Sequence, residues 1–256
     1  MKIRILGAHN CESQNTRLLS LLVDDILVLD AGGLTSSLSF AEQQKVEAVL
    51  LTHHHYDHVR DIPALAMNSY LSGATFRIYA PPSVHDALTT RLLDGKFYPN
   101  FLERPPENPT VKFTVVEPLK PEQVEGYSIL PVPLNHSVPA VGYQVTASDG
   151  KAIFYSGDTG PDMADCWRQV SPQLLIIEVT ASNRFTSFGR ESKHLTPDLL
   201  KEELGVFLEL KGYLPRVVTV HMSPGLEDES RAEIATVAEE LAITISPAYE
   251  GMEISV

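Results

Sequence analysis

The chain carries nine histidines, and three of them stand together in Thr52-His53-His54-His55-Tyr56-Asp57-His58. Four imidazoles and a carboxylate therefore fall between positions 53 and 58. Charged, such a run repels itself; neutral and buried, it costs desolvation. A bound cation removes both difficulties. In an extended chain alternate side chains share a side, so His53 and His55 are expected to point into one site while His54 and Tyr56 point away. Asp57 and His58 follow where the chain turns toward the next helix and can reach a second, adjacent position.

The same arrangement recurs downstream. The run Val46 to Leu51 leads into the histidine cluster, and Tyr127 to Leu134 ends in Asn135-His136. Ala152 to Tyr155 ends in Ser156-Gly157-Asp158, and Arg216 to Val220 ends in His221. In sheets covered by helices, sites collect at the carboxyl ends of strands. Singly, His136 or His221 reads as an ordinary half-buried histidine, and Asp158 as a turn residue. Their shared position after apolar runs favours metal ligation. Imidazoles and carboxylates suit zinc, manganese or iron without any thiolate. The pattern assigns His53, His55 and His136 to one divalent ion and Asp57, His58 and His221 to a second. Asp158 would bridge them. Two cations roughly 3.5–4 Å apart can clamp an attacking hydroxide and stabilise phosphoryl charge. His9, His54 and His85 read as structural or solvent-facing.

The elements that must position these residues alternate along the chain. Strands are expected at 2–6, 17–23, 26–29, 47–51, 76–79 and 111–116, then at 127–132, 141–146, 152–155, 174–178, 216–220 and 251–256. Helices are expected at 62–71, 83–92, 162–170, 197–210 and 227–241. The early strands follow closely enough to pair antiparallel, with Asp24-Asp25 as a hairpin turn. Thr196 with Pro197 predicts an N-cap hydroxyl and a first-turn proline, and Pro82 and Pro161 suggest similar starts. The proline-bearing stretch 97–110 reads as a long irregular loop, of the kind used for a lid, a homodimer contact or a plain crossover. No flexible linker or internal repeat interrupts the chain, so residues 1–256 read as one α/β domain.

Composition narrows the function classes. The chain has 256 residues, 43% hydrophobic and 21% charged, enough to bury a sizeable core. Its net charge of -13 speaks against a nucleic-acid polymer, whose binding draws on lysine and arginine. A small anionic substrate stays open, because bound cations dominate the local field. Cys11 and Cys166 match no metal or redox spacing and read as free thiols in a reducing compartment. Nothing resembles a signal peptide or a membrane span, so the expectation is a cytoplasmic protein that meets no membrane.

His53-x-His55-x-Asp57-His58, followed by His136, Asp158 and His221 in that order, resembles the metallo-β-lactamase superfamily. The resemblance implies a four-layer αββα sandwich with a pair of metals at one edge. Ser192-Lys193-His194-Leu195-Thr196-Pro197, before a helix and the strand ending in His221, is similar to the phosphodiesterase branch. That branch includes the class II cyclic-nucleotide phosphodiesterases and RNase Z. Pro133 to Ser137 and Glu250 to Ile254 look like the cyclic phosphodiesterases of phosphonate breakdown, and Ile177-Glu178-Val179 looks like the cyclic-nucleotide branch. These resemblances imply that His194 contacts the scissile phosphate; Asp57, while holding one metal, is expected also to orient the attacking hydroxide. They imply a small cyclic or nucleotide phosphodiester as substrate. The alternatives are an RNase Z-like endonuclease, a thioester or lactone hydrolase, and a non-catalytic binding or scaffold protein that keeps the fold. Here Arg60-Asp61 replaces the glycine pair that often follows the metal motif, and neither the tRNA-gripping arm nor paired zinc cysteines are present.

Overall fold

A computed structural model describes residues 1–256. The first sheet holds β1 (Lys2–Gly7), β2 (Ser20–Val23), β3 (Leu27–Ala31), β4 (Ala48–Leu50), β5 (Phe76–Ala80) and β6 (Val111–Val115). The second holds β7 (Glu122–Val124), β8 (Tyr127–Pro133), β9 (Val141–Thr146), β10 (Ala152–Tyr155), β11 (Leu174–Glu178), β12 (Arg216–Val220) and β13 (Ile245–Pro247). The last strand, β14 (Glu253–Ser255), returns to the first sheet beside β1.

Spatial order is β14-β1-β2-β3-β4-β5-β6 in one sheet and β13-β12-β11-β10-β9-β8-β7 in the other. Each sheet has an antiparallel half and a parallel half. β14 to β3 pair antiparallel and β3 to β6 parallel. β7 to β10 pair antiparallel and β10 to β13 parallel. Two antiparallel steps separate β8 from β10, so β8, β10 and β12 all run the same way. Their carboxyl ends share one rim.

Apolar residues on alternate positions face opposite layers, which is why the strands read as continuous hydrophobic runs. In β3, Leu27 and Leu29 enter the core between the sheets while Val28 faces outward. In β11, Leu174 and Ile176 face inward while Leu175 and Ile177 face the helices. The central core joins Ile5, Leu21 and Leu50 of one sheet to Tyr143, Ile153 and Val218 of the other.

Nine α-helices supply the outer layers and several turns: α1 (Leu34–Ser37), α2 (Phe40–Gln43), α3 (Tyr56–Val59), α4 (Ile62–Ser72), α5 (Pro82–Ala87), α6 (Ala164–Gln169), α7 (Thr186–Ser192), α8 (Pro197–Lys211) and α9 (Glu227–Leu241). Ile62 and Leu65 of α4 cover the first sheet with Val84 of α5. Trp167 of α6, Leu199 and Phe207 of α8 and Ile234 of α9 cover the second. The layers are helix, sheet, sheet, helix, as the αββα expectation requires. No helix is long and apolar enough to cross a membrane. Both cysteines are free, Cys11 exposed and Cys166 buried.

Asp24 and Asp25 both take positive φ, 46° and 63°, and the Ile26 amide bonds the Val23 carbonyl, closing the expected hairpin turn. The structure corrects other expectations. β2 begins at Ser20, because 17–19 make only an isolated bridge to His9. The last strand begins at Glu253, since Gly251 is held at φ 86°. The helix expected at 83–92 changes to π geometry over Leu88–Leu92. α6 starts at Ala164, beyond the reach of Pro161. Thr196 occupies the N-cap of α8, but its hydroxyl meets Thr186 Oγ1 at 3.2 Å and caps nothing. β7 and β13 were not expected; three residues each are too short to show a period.

Candidate metal centre

Each apolar run delivers its polar residue to the rim. β4 runs into His53, His55, Asp57 and His58, the last two in α3. β8 leads to His136, β10 to Asp158 and β12 to His221. The rim is closed across the two sheets by the Val141 amide bonding the Thr52 carbonyl at 3.1 Å. The Tyr143 hydroxyl adds a bond to the Leu51 carbonyl at 2.9 Å. The histidine segment of one sheet is therefore pinned to a strand of the other.

The seven residues gather in two groups, each with candidate ligand atoms within 4.8 Å of one another. One contains His53, His55, His136 and Asp158; the other contains Asp57, His58, His221 and Asp158. Asp158 divides itself between them. Its Oδ2 lies 3.7 Å from His53 Nε2 and 3.9 Å from His136 Nε2. Its Oδ1 lies 3.2 Å from His58 Nε2 and 3.4 Å from His221 Nε2. His221 Nε2 also lies 3.2 Å from Asp57 Oδ2.

Three of these atoms, His53 Nε2, His58 Nε2 and Asp158 Oδ1, are buried with no hydrogen-bond partner. Buried polar atoms are rarely left so. Orphaned lone pairs converging on shared points are what divalent cations satisfy, and an all-imidazole and carboxylate donor set fits zinc, manganese or iron.

Neighbouring groups hold the opposite ring nitrogens. His58 Nδ1 donates to Asp30 Oδ2 at 2.7 Å. His53 Nδ1 meets Thr52 Oγ1 at 3.0 Å, and that hydroxyl donates to Asp30 at 2.8 Å. The Thr52 amide and the Tyr155 hydroxyl complete four donors on the buried Asp30 carboxylate. A second buried hub mirrors it. Glu178 accepts from the Thr159 and Leu195 amides, from Thr180 Oγ1 at 2.6 Å and from His194 Nδ1 at 2.7 Å. Thr180 Oγ1 in turn accepts from His221 Nδ1 at 2.8 Å. His136 Nδ1 meets the Lys193 carbonyl at 3.2 Å. These partners fix ring orientation and leave Nε2 of His53, His58, His136 and His221 facing the centre.

Protonation follows burial and neighbours. Burial foremost pushes His53 well below the ordinary imidazole range, and lowers His55 and His136 too. Neutral rings are what ligation requires. Burial also opposes charge on His58, but Asp158 and Asp30 outweigh it and hold its proton well above the usual range. The surrounding imidazoles, His221 and His58 first, offset burial at Asp158 and keep it ionised.

His194 lies between the groups, stacked on His221 with centroids 5.6 Å apart and edge-on to His136 at 5.2 Å. Burial disfavours its charge, but Glu178 raises it to about 9. His54 and Tyr56 stand apart from both groups, and His9 is buried between Glu250 and Glu227 at 2.6 and 3.2 Å. Asp30, Thr52 and Thr180 were not singled out from the sequence. Asp30 carries the only usable mark: it too follows an apolar run, Ile26 to Leu29.

The sequence profile of the Beta-lactamase superfamily domain matches residues 28–222, well over half of the chain. The chain belongs to that superfamily. A curated octanoyltransferase from Porphyromonas gingivalis is 28% identical over 151 residues, 56% of this chain and 29% of that protein. A ribonuclease Z from Pyrococcus abyssi is 29% identical over 137 residues, 51% of this chain and 41% of that protein. The chain thus matches well under half the length of these relatives. The solved structure of unliganded yeast PDE1 aligns over 100% of this chain and 99% of its own, at TM-score 0.85 and 15% identity, which speaks for the fold.

Proposed function

We propose that this single-domain chain is a dinuclear phosphodiesterase acting on a small cyclic or nucleotide phosphodiester. His53, His55 and His136 would hold one ion, Asp57, His58 and His221 the other, and Asp158 both. When bound, such a pair makes a nucleophilic water available at neutral pH and stabilises charge on phosphoryl oxygens.

The observation that carries the reading is the Glu178–His194 pair. A lactone or thioester hydrolase has no need of a cationic imidazole beside the ions. A phosphodiester presents anionic oxygens throughout and expels an alkoxide. His194 has Nδ1 committed to Glu178, so it offers a proton at Nε2. It would bond a phosphoryl oxygen or protonate the departing oxygen, help worth about 10²–10⁴-fold. Asp57, whose Oδ2 lies 3.2 Å from His221 Nε2, would orient the attacking water from the second group. The ribonuclease Z and PDE1 similarities accord with phosphoryl chemistry. The net charge of -13 and the missing arm favour a small substrate over an RNA.

The test is to load the protein with manganese or zinc and assay chromogenic bis-aryl phosphate, cyclic nucleotides, lactones and thioesters. Diesters should be cleaved, and His194→Ala should lower kcat at least about 10²-fold with metal content unchanged. Cleavage of lactones or thioesters alone, indifferent to His194→Ala, would overturn the proposal.

A further inference from the structure

Beside the metal motif lies a cleft of about 410 Å³. One wall is the motif itself, through His54 and Tyr56, which alternate with the ligand residues. The facing wall is α5 and the π turn after it, through Ser83, Asp86 and Arg91. The His54 ring, which lines the cleft, lies 6.0 Å from the ring of His55, a residue of the first metal group.

Two wall atoms, His54 Nδ1 and Ser83 Oγ, are buried with no partner. Unpaired buried polar atoms weaken a fold unless something bonds them. They belong to neither metal group. A second observation is independent. The chain widens into π geometry at Leu88–Leu92, closed by the Leu93 amide on the Leu88 carbonyl at 2.8 Å. Such turns are rare and gather at functional sites. Arg91 and its neighbours on this turn line the cleft.

The chemistry of the walls selects a ligand class. Tyr56 is 64% exposed and stacks on no other ring, leaving an aromatic face free at the lip. Val59, Ala87 and Leu92 give apolar surface. Asp86 accepts hydrogen bonds, Arg91 donates them, and His54 and Ser83 can do either. A free π face with mixed donors and acceptors along an edge complements a flat nitrogen heterocycle. The volume is in the ordinary ligand range of about 300–1,000 Å³ and exceeds what a single ring fills.

We propose that this cleft is the base subsite: it takes the purine of a nucleotide phosphodiester, with the sugar crossing the lip and the phosphate at the metal centre. This rests on the phosphodiesterase reading, so the experiment separates the two. Metal-loaded protein and its Ser83→Ala and Arg91→Ala variants would be assayed on a purine nucleoside 2′,3′-cyclic phosphate and on a ribose cyclic phosphate lacking the base. Adenosine and guanosine binding would be measured by calorimetry. The variants should raise KM about 5- to 30-fold for the purine substrate, the factor for losing one wall contact. They should leave its kcat and both constants for the base-free substrate unchanged. Free purine nucleoside should bind the parent and bind Arg91→Ala more weakly. Ser83→Ala, which removes an unpartnered hydroxyl, should not lower Tm. Equal KM changes with and without a base, or no nucleoside binding, would overturn the subsite while leaving the phosphodiesterase standing. Nucleoside binding lost in Arg91→Ala, with no diester cleaved, would keep the subsite and overturn the reaction.

Discussion

At the residue scale, the candidate ligands were legible because each follows an apolar run, and sequence order alone reveals that. What held them in place was not legible. Asp30 lies 22 residues from its partner Thr52 and 28 from His58, and nothing in sequence marks those pairings. Its role yields a prediction. Asp30→Asn keeps the shape but places an amide among four donors, and it removes the charge that orients His58. Metal affinity should fall about 10–100-fold, as losses of such supporting partners do. Competition with a chromogenic chelator measures this, and unchanged affinity would refute the role. The same argument applies to Thr180, which joins His221 to Glu178.

At the scale of elements, strand positions were largely legible and their ends less so. Alternating burial produces continuous apolar runs, whose edges depend on tertiary bonds invisible in sequence. The turn after β10 illustrates this. Gly157 sits at φ 61°, and a Cβ there would come 2.7 Å from Thr52 Cγ2 and Oγ1. The sequence showed only a plausible turn at Ser156-Gly157-Asp158. The structure shows that glycine allows Asp158 to reach the centre beside Thr52. Gly157→Ala should therefore cost about 1–2 kcal/mol from the backbone conformation alone, with the clash adding to it. Because Thr52 supports His53, metal affinity should fall as well. Urea unfolding of the metal-free variant, followed by metal titration, checks both; a midpoint equal to the parent's would contradict the account.

At the scale of the whole molecule, the αββα architecture was legible through the family motif, whereas the tie between the chain's two ends was not. His9, read as a plain structural histidine, is buried between Glu250 near the C-terminal strand and Glu227 at the start of α9. Burial opposes its charging, but the two carboxylates prevail and its pKa is raised above 6.5. The contribution is therefore fully present below the unfolded value of 6.5 and fades as pH rises through the folded value. The parent should exceed His9→Gln in unfolding free energy at pH 6, and the gap should narrow at alkaline pH. Denaturant titrations at several pH values measure it; a gap that widens with pH would reverse the sign.

His53 to His58 come from one sheet, and His136, Asp158 and His221 from the other. Any ion held by both sets acts as a rivet through the seam of the sandwich, at one end only. Stripping the ions would unfasten that end first, while the opposite end keeps only its side-chain packing in either state. Protection of backbone amides from exchange should then change in a gradient along the strands, steepest where β4, β8, β10 and β12 finish. Ion supply would thus govern how long the protein endures as well as what it can do.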